Sequence, residues 1–276
     1  VRLYFRRAEE GPVRVWSENY GEWDEFLLED LEPNSEQPWA NYVRGAAWAL
    51  QEHGQPTVPF EAILIGDVPI GAGLSSSAAM EVASALALLP STIRGGIDRA
   101  ELARICQRAE NDFVGVNCGI MDQFVSLHGG SDRAVLIDCR SLDYELLPVD
   151  NTQVHVVVCN TMMDHELGSS EYNDRRATCE RAADIIGTRL GADVKQLRDV
   201  TPSMLDHCRD VLDDLPYRRA RHVVMENDRA RTAVGALRER SYRDFGALMN
   251  ASHESLRDDY EVSCEELDVM VEVARR

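Results

Sequence analysis

A glycine- and serine-rich stretch at residues 69–80, PIGAGLSSSAAM, joins the apolar segment 62–65 to an alanine-rich segment. Glycines let backbone N–H groups converge on one point, and the positive end of a helix dipole favours an anion there. Serine hydroxyls can contact phosphate oxygens or Mg²⁺. The same residues also suit an ordinary strand-to-helix turn with a serine cap, and the lysine of a Walker loop is absent. The loop alone leaves both interpretations open.

Two carboxylates, Glu110 and Asp122, flank a glycine-interrupted segment further along the chain. Phosphoryl transfer to a small alcohol needs one carboxylate to anchor Mg²⁺ beside the phosphates. It needs another beside the attacking hydroxyl, to orient it and accept its proton. A glutamate ending an apolar helix and an aspartate following Gly119 could supply these groups. Because the chain has 48 acidic residues, each could equally be a solvated charge or a helix cap.

The composition limits the classes of partner. With 276 residues the chain is long enough for one large domain or two modest ones. A net charge of −19 disfavours nucleic acid and anionic membranes, and no apolar run approaches the ~20 residues of a membrane span. No secretory signal is present, and the seven scattered cysteines form no C-x-x-C pair. These features predict a cytoplasmic protein with reduced thiols. A nucleotide could still bind, because a local group of N–H donors and Mg²⁺ can offset the net negative charge.

The hydrophobic pattern predicts a mixed α+β chain. Strands are expected within residues 1–28 and at 60–65, 134–137, 144–147 and 154–159. Helices are expected at 39–52, 77–89, from Asp98 onward, and at 172–186, 217–237, 241–250 and 263–275, whereas 113–130 is expected to be irregular. In the helix from Asp98 onward, a core-facing stripe is expected at Leu102, Ile105, Cys106 and Ala109. The strand at 154–159 would open a second lobe, so we predict two domains, 1–148 and 149–276.

Several motifs together resemble one family of kinases. The string Pro69-x-x-x-GLSSSAA resembles the second motif of the GHMP small-molecule kinases, and its three serines are most similar to the galactokinase branch. The segment Gly115-x-x-CGIMDQF resembles the galactokinase segment that bears the catalytic aspartate. Further similarities lie at 39–45 (WANYVRG), 160–180 and 249–263.

The resemblance implies a two-lobed GHMP kinase fold with the nucleotide and sugar site between the lobes. It implies ATP and Mg²⁺ as cofactors and D-galactose as substrate, phosphorylated at the anomeric hydroxyl to galactose 1-phosphate. Asp122 would be the catalytic base or orienting carboxylate. Glu110 and Ser77 would hold Mg²⁺, and Gly119, Asp122 and Tyr172 would contact the sugar. The implied nucleotide-binding residues are Trp39, Gly71, Gly73, Leu74, Ser75, Ser76 and Ser77.

The resemblance also has gaps. The N-terminal G-R-V-N-L-I-G-E-H-x-D-Y segment and the C-terminal glycine-rich motif of galactokinases are not in this sequence, which begins with Val1. We therefore expect both ends to be cut and the activity of this chain to be reduced. Two alternatives stay open: a kinase for a related sugar (N-acetylgalactosamine, arabinose or galacturonate), or a non-catalytic sugar and ATP sensor. The sequence does not indicate the oligomeric state.

Overall fold

The structure, a computed structural model, describes residues 1–70, 72–162 and 169–276, without the side chains of residues 94 and 169–172. Contacts divide the chain into two compact units. Unit 1 comprises Val1–Ser131 and Val135–Leu146, and unit 2 comprises Asp132–Ala134 and Leu147–Arg276.

A four-stranded sheet forms one layer of unit 1. Its strands are β1 (Arg2–Arg7), β2 (Val13–Ser17), β3 (Glu22–Phe26) and β4 (Phe60–Ile65), in the order β1-β4-β2-β3. Strands β1 and β4 are antiparallel, as are β2 and β3, whereas β2 and β4 run parallel. Alternate residues of β2 and β4 are buried, because successive side chains of a strand point to opposite faces of the sheet.

Helices cover the inner face of the sheet. They are α1 (Asn41–Glu52), α2 (Ser76–Leu88), α3 (Ser91–Arg94), α4 (Arg99–Arg108) and α5 (Met121–His128). One apolar core joins the sheet to α1, α2 and α4, and the predicted stripe of α4 lies within it. The predicted strand at 60–65 is confirmed, and the helices predicted at 39–52 and 77–89 are confirmed to within two residues.

A hairpin of β5 (Arg133–Ile137) and β6 (Tyr144–Pro148) follows, as predicted. Most of this hairpin belongs to unit 1, and beyond β6 the described part of unit 2 is helical where it has regular structure. Its helices are α6 (Ser169–Leu190), α7 (Pro202–His207), α8 (Asp214–Arg238), α9 (Tyr242–Ser255) and α10 (Glu265–Ala274). A core of its own joins α6, α7 and α8. No helix within the described ranges is long and apolar enough to cross a membrane.

Two predictions about regular structure are wrong. Residues 113–130 are not irregular throughout. Helix α5 forms within them, between Gly119 and Gly129, and its Phe124 side chain is buried. Residues 154–159 are not a strand. Their β-branched side chains favour one, but a strand needs a hydrogen-bonded neighbour and the described residues supply none there. Val156 is 86% exposed as a result.

Candidate active site

The glycine- and serine-rich loop leads from β4 into α2. Gly73 and Ser75 both adopt the left-handed backbone conformation, with φ of 68° and 56°. Ser75 precedes the first residue of α2, yet its side chain makes no capping hydrogen bond. An anion-binding turn requires that the first N–H groups of its helix point to the anion. In α2 these groups are not bonded to the Ser75 side chain, which agrees with that requirement.

Glu110 approaches this loop from a π-helical turn, Ala109–Val114, that continues α4. The turn closes at Gly115, whose φ is 92° and whose N–H donates to the Glu110 carbonyl at 2.9 Å. Only glycine adopts that conformation without steric cost. The Ser77 side chain lies close enough to the Glu110 carboxylate to lower its pKa, so the first turn of α2 and the π turn meet at this pair.

The Glu110 carboxylate is buried and held by several donors. Its Oε2 accepts from Gln123 Nε2 at 2.6 Å and from Cys118 Sγ at 3.2 Å. Burial raises the pKa of Glu110, the hydrogen bonds from Cys118, Ser77 and Gln123 lower it, and the charge of Asp122 raises it again. A buried carboxylate next to a second carboxylate is an environment that a cation would stabilise.

A second carboxyl, Glu81 on α2, lies behind Gln123. Gln123 Nε2 donates to Glu81 Oε2 at 3.1 Å, so one amide links the carboxyl groups of Glu81 and Glu110. Glu81 and Gln123 are fully buried. Burial, and next the charge of Glu110, hold the pKa of Glu81 well above its usual range. Neither Glu81 Oε1 nor Gln123 Oε1 has a hydrogen-bond partner among the described residues.

Helix α1 packs against the π turn through a glycine. A Cβ on Gly45 would come within 3.3 Å of both the Ala109 carbonyl oxygen and the Phe113 ring. The absence of a side chain at 45 lets the backbones approach and so places Glu110. Tyr42 lies one turn earlier in α1. Burial, and next the charges of Glu110 and Glu81, raise its pKa to about 12.

Trp39 lies in the core rather than in an open cleft. The indole is 4% exposed, its Nε1 donates to Glu22 Oε1 at 2.9 Å, and its ring stacks on Tyr20 at 5.6 Å between centroids. Tyr20 is 43% exposed and is the outer ring of the pair. A purine could therefore reach the outer face of Tyr20 more readily than the face of Trp39 that Tyr20 covers.

The structure places the other predicted residues as follows. Asp122 is partly buried in the first turn of α5, directly before Gln123, and Gly119 is exposed just before that helix. Gly73 and Leu74 are exposed, and Ser75 and Ser76 are half-buried at the start of α2. Tyr172 belongs to α6, but its side chain lies outside the described residues, as does Gly71. The structure thus brings together Ser77, Glu110 and Asp122.

Three residues of this site were not predicted from the sequence, namely Tyr42, Glu81 and Gln123. Glu81 carried a visible signal, because it is the only charged residue in the otherwise small or apolar helix α2. Tyr42 and Gln123 gave no comparable signal. In the described part of the chain, no three His, Cys, Asp or Glu side chains are grouped so as to hold a metal ion.

Comparisons with known proteins agree with this arrangement. Residues 41–130 match the family described as "GHMP kinases N terminal domain". They contain the whole of α1, α2, the π turn and α5, so the fold is that of a GHMP kinase.

The relatives point to one branch. The chain is 46% identical to galactokinase from Bos taurus over 88% of its length and spans 60% of that relative. It is 39% identical to galactokinase from Clostridium acetobutylicum, with 97% of the chain and 69% of the relative covered. The crystal structure of Lactococcus lactis galactokinase complexed with galactose superposes with a TM-score of 0.88 at 35% identity, covering 99% of the chain and 70% of that structure. The chain belongs to the galactokinase family.

Proposed function

We propose that the whole protein transfers the γ-phosphoryl group of ATP to the anomeric hydroxyl of D-galactose, giving galactose 1-phosphate and ADP. The observation that carries the proposal is the grouping of Ser77, Glu110 and Asp122, in which Ser77 and Asp122 both lie close enough to influence the Glu110 carboxylate. It joins a loop suited to phosphate with the two carboxylates that phosphoryl transfer to an alcohol needs.

The nucleotide would lie along the loop and the start of α2. Backbone N–H groups of Gly71, Gly73 and Leu74, with the hydroxyls of Ser75, Ser76 and Ser77, would surround its phosphates. The adenine would pack beside the stacked pair of Trp39 and Tyr20. An aromatic pair suits this role because stacking on a purine requires no charge.

Ser77 and Glu110 fit a magnesium ion. Mg²⁺ prefers oxygen ligands and is usually bound by one or two carboxylates together with substrate phosphates. A hydroxyl close to a buried carboxylate provides such a pair. When bound, the ion neutralises charge on the β- and γ-phosphates.

Asp122 would act on the sugar. Its carboxylate would orient the anomeric hydroxyl and accept its proton as the sugar oxygen bonds to the γ-phosphorus and ADP departs. Gly119 lies immediately before α5 and leaves room for a sugar beside Asp122, because a Cβ there would meet no atom within 4 Å. Tyr172 would contribute a further sugar contact. We also propose that the chain forms two domains, residues 1–148 and 149–276, and that the protein is cytoplasmic.

A release assay for ADP tests the proposal across a panel of galactose, N-acetylgalactosamine, arabinose and galacturonate. It is run on this chain and on a version extended to the length of its relatives. We expect galactose to be preferred. Preference for another sugar would indicate a related kinase, and calorimetric binding of sugar and ATP without ADP release would indicate a sensor.

Asp122→Asn should abolish turnover while leaving nucleotide binding intact, since general-base assistance contributes about 10²–10⁴-fold. The matched control is Asp112→Asn, because Asp112 is an exposed carboxylate in the adjoining π turn, paired with Arg108. Near-native kcat in Asp122→Asn would contradict the role of Asp122.

A further inference from the structure

The outer face of the four-stranded sheet carries a row of large apolar side chains. Tyr4 lies opposite Ile63, Ile63 opposite Trp16, and Trp16 opposite Trp23, so one residue from each strand contributes. Tyr4, Ile63 and Trp23 are 59%, 45% and 44% exposed. We call these four residues the aromatic row. Such a contiguous exposed group typically marks a contact surface.

A second row, two residues along each strand, alternates in charge. It consists of Arg6, Glu61, Arg14 and Glu25, in the same strand order. We call these four residues the charged row. Within the chain Arg6 pairs with Glu61, and Arg14 pairs with Glu61 at 3.2 Å and with Glu25 at 3.0 Å. The row as a whole is neutral, so it does not select a strongly charged partner.

The order of the charges makes the row self-complementary. A two-fold axis parallel to the strands reverses the strand order of a facing sheet while keeping each row opposite itself. The sequence plus, minus, plus, minus then faces minus, plus, minus, plus. A row of four alternating charges is matched at every position by its own reversed copy, and interfaces of closed dimers are self-complementary in this way.

We propose that this sheet face is a docking surface for a second copy of the chain, related by a two-fold axis parallel to the strands. Arg6 then lies against the partner's Glu25, and Glu61 lies against the partner's Arg14. In the aromatic row, Tyr4 faces the partner's Trp23. The aromatic residues supply the buried apolar area, and the charged row sets the register.

The dimensions of the sheet make this association weak. Four strands spaced about 4.8 Å apart and five or six residues long give a face of roughly 20 Å by 20 Å. That is on the order of 400 Å² for each copy, half the roughly 800 Å² per partner of a stable interface. The net charge of −19 adds repulsion between copies at low salt. We therefore expect dissociation constants in the micromolar range or weaker.

Reciprocal charge reversal tests the proposal by analytical ultracentrifugation. Arg6→Glu alone places two like-charged contacts in its homodimer, and so does Glu25→Arg alone. A mixture of the two variants restores opposite charges at both contacts. At about 10 to 500 µM, the range for a half-size interface, each variant should associate at least about 10-fold more weakly than the parent chain. The equimolar mixture should recover most of the association.

The control is Arg2→Glu. Arg2 is an exposed arginine of β1 outside both rows, paired with Asp67. It changes the net charge as Arg6→Glu does and should leave association unchanged. Circular dichroism and thermal melts check that each variant folds, as expected for exposed ion pairs worth about 0–1 kcal/mol. The proposal is overturned if the parent chain is monomeric throughout, or if the mixture associates no better than the separate variants.

Discussion

Replacing Glu81 by glutamine should make the protein more resistant to rising pH. The Glu81 carboxyl is fully buried, and the one hydrogen bond seen at it comes from Gln123. Burial and the charge of Glu110 raise its pKa well above the usual range in the folded protein. In the unfolded chain its pKa returns to about 4.3. The two states therefore bind different numbers of protons over a range of pH.

The sign follows from that difference. Below the unfolded pKa both states carry the proton, and the stability associated with neutral Glu81 is fully present. As the pH rises from there toward the folded pKa, only the unfolded chain ionises. The free energy of unfolding then falls by about 1.4 kcal/mol for each pH unit. Glutamine has nearly the same shape and cannot ionise, so Glu81→Gln removes this loss.

Urea denaturation at intervals between pH 4 and pH 9 measures the effect. The stability difference between Glu81→Gln and the parent chain should increase by about 1.4 kcal/mol per pH unit and level off at the folded pKa of Glu81. Glu52→Gln on α1 is the control, because Glu52 is an exposed helical glutamate. A difference that stays constant with pH would refute the reasoning, since it would mean that Glu81 ionises equally in both states.

Three further changes test the packing of unit 1 by denaturation. Asp24→Ala should cost about 3–5 kcal/mol, because it removes the buried carboxylate that binds Arg44 at 2.6 Å and leaves the half-buried guanidinium without an anionic partner there; a loss below about 1 kcal/mol would show that water reaches this pair. Phe60→Ala should also cost about 3–5 kcal/mol, since the ring is fully buried and packs edge-on against Phe5. Asp98→Ala should cost about 1 kcal/mol, because Asp98 Oδ1 caps α4 by accepting from the N–H of Glu101 at 2.9 Å, and Asp98→Asn should restore most of that loss.

The local sequence pattern was sufficient to predict much of the secondary structure of unit 1. The apolar, strand-like residues at 60–65 predicted β4 with its observed bounds, because one face of that strand is buried along its whole length. The stripe that begins at Leu102 predicted the buried face of α4 for the same reason. Pattern failed at 154–159, where strand propensity contains no information about a pairing partner.

The residues of the candidate site were likewise predictable from the sequence only in part. Residue types and motifs pointed to Ser77, Glu110 and Asp122, which the structure brings together, although their roles stay predictions. The amide of Gln123 could not be anticipated, because its contacts join α5 to α2 and to the π turn and are fixed only by tertiary packing.

The π turn that carries Glu110 also has a consequence for changes in chain length. A π turn contains about one residue more than an α turn. Deleting one residue between Glu110 and Gly115 would turn this segment into ordinary α-helix and rotate the following backbone by about 100°. Glu110 would stay in register with α4, while Cys118 and Gln123 would be carried away from its carboxylate. A substitution at exposed Asp112 should therefore be tolerated more readily than any change in the length of this segment.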